Sequence, residues 1–517
     1  MKKSISCRIL LIFLIFGILF PLSSHGEDRT VRIEGRDWGY PSPYAFYPRG
    51  PGYVRMMFVF DTLAWRDDRQ IIPWLAQNWE SSPDGKSWHL RLTENARWHD
   101  GEPFTAEDVK FTLDYFKTHP HPWFDLSVVD TAEITGPYEV KIILSRPYAV
   151  FLTRILSRVP MIPEHIWEKV ENPYQFAAAK EAVTGTGPFV LQDYNPAQGS
   201  YLFTANPHFF KGKVKIDRLI SVPTKTGDLS LLRGEIDMTR ILKIDSLELF
   251  KNKAEFKILT APDYWLFRLV INFTQEPMQD LQFRRALAHA VNRPEMVERV
   301  AHGGGVAGTY AYISPASEWH NPTVTDYPYD PEEARKLLDG MNIKDRDGDG
   351  FRELPPKEKF RVRLLSDKRF SRAAEAVKKY LEEVGLSVQI DSADVSTHDT
   401  RIREMKDFHL ALTAHGGVSG DLGNLTGGLP AIKGYQNEMF RRLTAEQPYM
   451  TDPEKRKQAL FSIQELIAAD VATIPLYYLN WFHVYRPAVF DGWFYTWYGL
   501  PMGVQLLENK LAFVEVP

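Results

Sequence analysis

The only cysteine of the chain, Cys7, stands ahead of an apolar run near the N-terminus, and this position strongly constrains the fold. A disulfide framework needs at least two cysteines, and a cysteine-ligated metal site usually needs several. The residues that follow must therefore fold without covalent cross-links, so their stability has to come from a large buried core. At 517 residues, and about 100 to 200 residues per domain, the chain is long enough for roughly two to four domains.

The segment around Cys7 is typical of a secretory signal peptide. Three basic residues lie in the first eight positions, an uncharged apolar run covers residues 9–20, and Pro21 ends it. About twelve apolar residues are fewer than the roughly 20 that span a bilayer. We predict a signal peptide over residues 1–26 with cleavage after Gly26, an uncleaved anchor being the alternative. Because the cysteine precedes the apolar run, there is no lipobox, and we expect an exported, soluble, periplasmic protein.

Composition excludes several classes of protein. Hydrophobic residues make up 44% and charged residues 25% of the chain, which argues against a disordered chain and a multi-span membrane protein. The net charge of −4 and the pI of about 6.4 show no basic footprint for nucleic acid. Aromatic residues reach 13%, enough to supply rings for a ligand surface as well as for the core.

Local patterns predict a mixed α/β chain. Thr105 is a good N-cap, and Asp108 falls where an acid completes a capping box. Asp280 is predicted to cap a helix over 281–291. Further helices are predicted at 371–383 and 453–469, and strands at 30–33, 87–92, 140–144, 189–191, 201–203, 361–365, 386–390 and 474–478. Residues 303–308 match G-x-G-x-x-G but follow a predicted helix, so we interpret them as a flexible connector rather than a dinucleotide site.

Several blocks occur in a fixed order along the chain: LAQNWE at 75–80, ARWHDGEPFTAEDV at 96–109, GTGPF at 185–189, LQFRRAL at 281–287, YDPEEA at 329–334 and DVATIPL at 470–476. In identity and order they resemble the bacterial extracellular solute-binding proteins of family 5, the peptide, nickel and related substrate-binding subunits of ABC importers. The resemblance implies a two-lobed α/β clamp like the periplasmic binding proteins (type II, cluster C). Lobe I would comprise 27–265 and 482–517, with an extra subdomain inserted at about 60–185, and lobe II would comprise 266–481.

The resemblance also implies a function without chemistry. The protein would be the extracytoplasmic substrate-binding component of an ABC importer for peptides or peptide-like solutes, monomeric, with the inner-membrane permease as partner. A metal chelate or an oligosaccharide is an alternative ligand in the same fold. A secreted hydrolase (glycosidase or peptidase) is the rival class, although G-x-S-x-G and H-E-x-x-H motifs are absent. A sensor that binds ligand without transport is a third interpretation.

Candidate ligand-binding residues follow from the two crossovers that the family fold places near 264–272 and 477–485. Aromatic rings offer a large contact area at small entropic cost, so rings at a hinge are candidates to line the cleft, the alternative being that they fill the lobe interface. The predicted ligand-binding residues are Tyr40, Tyr264, Trp265, Asn272, His415, Asp421 and Trp481.

One departure from the family pattern bears on the ligand. Peptide-binding members commonly carry a tryptophan in a glycine-rich loop of lobe II and an aspartate three residues later that pairs with the α-ammonium of the peptide. Here His415 and Val418 stand at those positions. A valine cannot balance a buried ammonium group. Either Asp421 takes the role after a loop shift, or the ligand lacks a free amine, as a metal chelate, a modified peptide or a sugar would.

An acidic stretch resembles the start of an EF-hand calcium loop. Asp345, Asp347 and Asp349 occupy its first, third and fifth positions, with a glycine at the sixth. The twelfth position is Pro356 rather than glutamate, so Glu353 would have to substitute. We favour a solvated acidic turn here, with a calcium site formed by Asp345, Asp347, Asp349 and Glu353 as the alternative, and expect no other cofactor.

Overall fold

The computed structural model describes residues 28–416, 432, 434–500 and 505–515, apart from 48, 122, 242–243, 262–263, 357 and 406. The predicted signal peptide therefore lies outside the described residues. In the part of the chain that is described, no helix is both long and apolar enough to cross a bilayer.

The first half of the chain alternates strands and helices. Its strands are β1 (Thr30–Gly35), β2 (Ala64–Arg66), β3 (Ile71–Pro73), β4 (Ala76–Ser81), β5 (Ser87–Leu92), β6 (Val129–Gly136), β7 (Glu139–Leu144), β8 (Phe189–Asn195), β9 (Ser200–Ala205), β10 (Arg218–Pro223), β11 (Met238–Ile241) and β12 (Lys257–Thr260). Its α-helices are α1 (Gly50–Val59), α2 (Ala106–Thr118), α3 (Glu164–Trp167), α4 (Pro173–Phe176) and α5 (Gly227–Leu232).

The second half continues in the same manner. Its strands are β13 (Trp265–Ile271), β14 (Gly305–Ala307), β15 (Glu353–Leu354), β16 (Glu358–Lys359), β17 (Val362–Asp367), β18 (Val388–Ala393), β19 (Leu410–His415), β20 (Thr473–Leu479) and β21 (Phe482–Tyr485). Its α-helices are α6 (Leu281–Ala290), α7 (Arg293–Arg299), α8 (Pro331–Gly340), α9 (Ser371–Glu383), α10 (Val395–Glu404), α11 (Glu438–Glu446) and α12 (Pro453–Ala469).

Two large mixed sheets organise the molecule, which confirms the predicted α/β class. One has seven strands in the order β12-β21-β11-β1-β10-β9-β8, and the other has six in the order β14-β20-β13-β19-β17-β18. A smaller sheet, β4-β5-β7-β6, lies between α1 and β8 in chain order, within the stretch that the resemblance assigns to an inserted subdomain. Each large sheet has its own extensive core of buried apolar side chains.

Local sequence explains the elements that position the site. Strand β13 reads WLFRLVI, and its neighbours β19 and β20 both run antiparallel to it. A nearly continuous apolar run suits such a central strand, because both of its faces are covered. At α2, the predicted capping box of Thr105 and Asp108 is confirmed, and Asp280 caps α6 as predicted.

The interpretation of residues 303–308 as a flexible connector is wrong in part, because Gly305–Ala307 forms the edge strand β14 beside β20. A Cβ atom on Gly305 would lie only 2.2 Å from the carbonyl oxygen of Tyr478. The glycine therefore permits the backbone to approach β20 closely enough to pair.

Candidate functional site between the lobes

We use "lobe I" for the seven-stranded sheet with its inserted subdomain, and "lobe II" for the six-stranded sheet with its helices. The chain passes between the lobes twice, from β12 to β13 and from β20 to β21, and only Asn480 and Trp481 separate the second pair of strands. The two crossovers lie side by side, since the N–H of Ala261 donates to the carbonyl of Trp481 at 2.8 Å. Two short adjacent connections are the geometry of a hinge. The predicted boundary at 481–482 falls at the end of the second connection, the one at 265–266 falls one residue inside β13, and the division itself stays a prediction.

Aromatic rings cover the hinge. The ring centroids of Trp265 and Trp481 are 4.7 Å apart. Trp265 is half-buried and contacts the cores of both lobes, whereas Trp481 is 4% exposed. The buried Nε1 of Trp481 has no hydrogen-bond partner among the described residues. Tyr264 is also buried, with its ring centroid 6.1 Å from that of Tyr498. The rings therefore form an apolar cluster at the two crossovers, with one buried donor that has no partner among the described residues.

The side chain of Arg240 lies against these rings. Arg240 extends from β11, opposite His483 of β21, and its guanidinium carbon is 4.2 Å from the ring centroid of Trp481. The side chain is only partly exposed. Burial lowers the pKa of Arg240, while the negative charges of Glu34 and Glu508 raise it. Arg240 was not among the predicted site residues.

His483 stays uncharged beside Arg240. Burial, and then the positive charge of Arg240, hold the pKa of His483 well below its usual range. Its Nδ1 lies 2.7 Å from the hydroxyl of Tyr495. The imidazole therefore adds no second positive charge to this face of the sheet.

His415 ends β19 on the lobe II side of the same crossover, directly opposite Leu266. Its Nε2 lies 3.1 Å from Nε of Arg268 and 3.0 Å from the hydroxyl of Tyr312, and its Nδ1 lies 3.0 Å from the carbonyl of Gly416. Since the guanidinium can only donate, Nε2 accepts and Nδ1 carries the proton. Burial, reinforced by Arg268, lowers the pKa of His415 to about 3. Both nitrogens are used within the protein, so a metal could bind only by displacing one of these contacts.

The lobes touch at their rims. Arg49, the N-cap residue of α1, forms a salt bridge with Asp399 of α10. On another side, the hydroxyl of Tyr498 donates to Oε1 of Glu318 at 2.5 Å. The N–H of Ala149 in the inserted subdomain donates to a lobe II carbonyl at 2.8 Å. These contacts join residues far apart in sequence, so they can form only when the lobes approach each other.

The structure brings four of the predicted ligand-binding residues together at the hinge end of the interlobe space, namely Tyr264, Trp265, His415 and Trp481. Tyr40 lies in the loop after β1, half-buried, with its ring centroid 5.6 Å from that of Tyr194. Asp421 and Val418 lie outside the described residues.

Asn272 does not join the hinge group. It follows the opposite end of β13, roughly 20 Å from Trp265 at about 3.3 Å per residue. The side chain is fully buried, donates to the carbonyls of Met405 and Phe408, and accepts from the N–H and hydroxyl of Thr274. The structure thus separates Asn272 from the interlobe space and gives it a structural role.

Sequence reasoning missed Arg240, Arg268 and Tyr312. Arg268 is fully buried in the middle of β13, where Nη1 donates to the hydroxyl of Thr473 at 3.1 Å. The signal that could have found it is a lone cation inside an apolar strand, since a buried charge needs specific partners. Arg240 offers only the weaker signal of one cation in a four-residue strand.

The acidic loop after α8 brings the four predicted calcium ligands together. One carboxylate oxygen from each of Asp345, Asp347, Asp349 and Glu353 lies within 4.8 Å of the others. The ammonium of Lys359 lies 2.8 Å from Asp347 and 2.9 Å from Asp349. A calcium ion would have to compete with this ammonium, and binding stays a prediction.

Comparison with known proteins agrees with this geometry. Residues 70–430 match the profile of the bacterial extracellular solute-binding proteins, family 5 (middle region). A Brucella ovis protein named as an ABC transporter peptide-binding protein is 29% identical over 299 residues, which is 56% of this chain and 55% of that protein. The chain thus spans about half the length of these curated relatives.

Solved structures share the fold. An oligopeptide-binding protein from Thermotoga maritima matches with a TM-score of 0.81 at 24% identity, covering 95% of this chain and 99% of that one. NikA from Brucella suis in complex with Fe(III)-EDTA matches with a TM-score of 0.80 at 21% identity, covering 93% and 100%. At these identities the likeness shows the fold, and it confirms the architecture that the resemblance implied. Because the matched profile covers well over half of its length, the chain belongs to the bacterial extracellular solute-binding proteins, family 5.

Proposed function

We propose that the protein is the extracytoplasmic substrate-binding component of an ABC importer. The two lobes close on a peptide or peptide-like solute, or on a metal chelate, and release it unaltered to a permease in the inner membrane. The observation that carries the proposal is the hinge: two adjacent crossovers, covered by Trp265 and Trp481, between two separately cored sheets.

The energetics suit reversible capture. A micromolar dissociation constant corresponds to only about −8 kcal/mol, which a partly apolar cleft with a few polar groups can supply. The rim contacts of Arg49 with Asp399 and of Tyr498 with Glu318 join the lobes through polar groups. Contacts of this kind are weak individually, so ligand binding can decide whether the lobes stay closed.

The described lobe II surface favours a ligand without a free amine at this end. By family resemblance, a peptide ammonium would approach the loop that begins after His415. The residue behind His415 is the buried cation Arg268, and the histidine itself is neutral. Neither group would balance an ammonium, which supports an amine-blocked peptide or a metal chelate over an ordinary free-amine peptide.

The test begins with native mass spectrometry of the freshly purified protein, because tight ligands often co-purify with a closed clamp. The recovered compound, or a panel of peptides and nickel chelates, is then titrated calorimetrically, with small-angle scattering to follow closure. We expect saturable binding, a smaller radius of gyration in the complex, and recovery of the ligand with every bond intact. Cleavage of the bound compound would instead support the hydrolase interpretation.

A matched pair of variants ties binding to the hinge. We expect Trp265→Ala to weaken ligand binding roughly 30-fold or more, as buried aromatic contacts do in other interfaces. Trp79→Ala removes a half-buried ring from β4 in the inserted subdomain and should leave affinity unchanged. Equal affinities for both variants and the wild type would contradict a ligand site at the hinge.

A further inference from the structure

We propose that Arg240 binds a carboxylate group of the captured solute at the hinge end of the cleft, an inference that rests on the function proposed above. A guanidinium has five N–H donors and no acceptor. The guanidinium of Arg240 makes no hydrogen bond or salt bridge with any residue in the described parts of the chain, and it lies against the ring of Trp481. The guanidinium therefore has all its donors unused at the point where the two lobes meet. Such a group is suited to binding an anionic ligand.

The acidic side chains that act on Arg240 do not form hydrogen bonds with it, although Oε2 of Glu508 is itself buried without a partner among the described residues. Glu34 accepts from the hydroxyl of Thr239 at 2.6 Å and from that of Thr224 at 3.3 Å. Oε1 of Glu508 accepts a hydrogen bond from Nη2 of Arg55 at 3.5 Å. Both carboxylates influence Arg240 through space, but neither forms a salt bridge with it. A ligand anion would therefore meet an available guanidinium.

The guanidinium is held in place before any ligand arrives. Strand β11 lies between β1 and β21, and Arg240 is in register with His483. The guanidinium stacks against Trp481, which in turn contacts Trp265. A group fixed by its sheet and by a ring loses little entropy on binding, so it contributes more to affinity than a freely moving surface arginine would.

A second donor close to Arg240 also lacks a partner in the described parts of the chain. The indole Nε1 of Trp481 is buried without a partner among the described residues, and an indole N–H can only donate. Arg36 adds a second positive charge close enough to lower the pKa of Arg240. Two donors and two cations match an acceptor that carries negative charge and would repel an ammonium. A planar carboxylate fits the fork of a guanidinium with two parallel hydrogen bonds.

Closure gives this site selectivity. When the lobes close, water leaves the space around Arg240, and a desolvated cation without a hydrogen-bonded anionic partner is unfavourable. A carboxylate removes that penalty, whereas a neutral isostere leaves it in place. The arrangement therefore favours anionic solutes both by attraction and by the cost of closing on a neutral one.

The probe is N-acetyl-trialanine with a free carboxylate, measured by calorimetry against its C-terminal carboxamide. Nickel–EDTA tests a carboxylate-rich chelate, inorganic phosphate tests another anion, and maltohexaose tests a neutral solute. We expect carboxylate-bearing probes to bind wild-type protein and the carboxamide to bind roughly 30-fold more weakly or worse. Phosphate binding that displaces the carboxylate probe would broaden the site to anions in general and overturn its carboxylate specificity.

Variants separate this inference from the function it rests on. Arg240→Gln should lose roughly 30-fold in affinity for the carboxylate probes and little for neutral ones. Arg240→Lys keeps the charge without the fork and should bind at an intermediate level. Arg233→Gln, which removes an exposed lobe I arginine near Glu235, is the control and should match the wild type. Circular dichroism checks that each variant folds.

Two outcomes count against different claims. If carboxylate and carboxamide bind equally, or if Arg240→Gln binds the carboxylate as the wild type does, the role of Arg240 is refuted while the receptor function stands. If no probe in the panel binds the wild-type protein, both the function and the inference fail.

Discussion

Acidification should destabilise the fold through His415. Its imidazole is 4% exposed, and burial and then the charge of Arg268 lower its pKa from 6.5 to about 3. In the unfolded chain the same group titrates at about 6.5. Between these two values the unfolded state binds a proton that the native state does not. The free energy of unfolding therefore falls as the pH falls from 6.5 toward 3, and is unaffected by this group above 6.5.

The magnitude follows from the two pKa values. Each pH unit in this window costs about 1.4 kcal/mol for one group. At pH 5, which is about 1.5 units below the unfolded pKa, His415 alone should cost about 2 kcal/mol relative to pH 7. His415→Gln removes the titration, while its amide oxygen can still accept a hydrogen bond from Arg268.

Urea unfolding at pH 7 and pH 5 measures the effect. The loss of unfolding free energy between the two pH values should be about 2 kcal/mol smaller for His415→Gln than for the wild type. His208→Gln, at an exposed histidine, serves as the control and should behave as the wild type. Parallel pH dependence in wild type and His415→Gln would refute the claim that the native state keeps this imidazole neutral.

Three other perturbations have defined outcomes. Lys510→Met removes the fully buried partner of Asp61. Because the carboxylate is then buried without its cation, the free energy of unfolding measured in urea should fall by about 3 to 5 kcal/mol. A change below about 1 kcal/mol would contradict a buried ion pair. A calcium site in the acidic loop requires that millimolar calcium raise the melting temperature of the wild type but not of Asp347→Ala, and no shift in the wild type would leave the solvated acidic turn. Arg49→Ala removes the salt bridge to Asp399, so small-angle scattering should show a larger ligand-free radius of gyration; an unchanged radius would argue against a rim latch.

Much of the local structure was predictable from neighbouring residues. The predicted helices at 371–383 and 453–469 match α9 and α12 in their bounds. Helical periodicity and N-terminal signals act over a few residues, so they can be read without knowing the fold. The glycines at 303–308 were interpreted as a flexible connector because the strand they form, β14, depends on pairing with β20, which lies far away in sequence.

The candidate site was only partly predictable. The crossover rings Trp265 and Trp481 were identified through the family resemblance, and the structure places them in contact. Asn272 was grouped with them because it is near in sequence, but an extended strand moves it away by about 3.3 Å per residue. No sequence pattern indicated that Arg240 belongs to the site, because β11 has only four residues and its neighbour β21 lies more than 200 positions later.

By itself, the sequence determined the family, the α/β class, the order of most elements and the presence of rings near the crossovers, since each depends on local patterns or on ordered blocks. Only the tertiary structure decided which of those residues meet. It joined Arg240 to Trp481 and Arg268 to His415, and it sent Asn272 to the far end of its strand. The physical reason is that strand pairing and lobe contact bring distant segments together, and the burial and electrostatics that define a site exist only after that assembly.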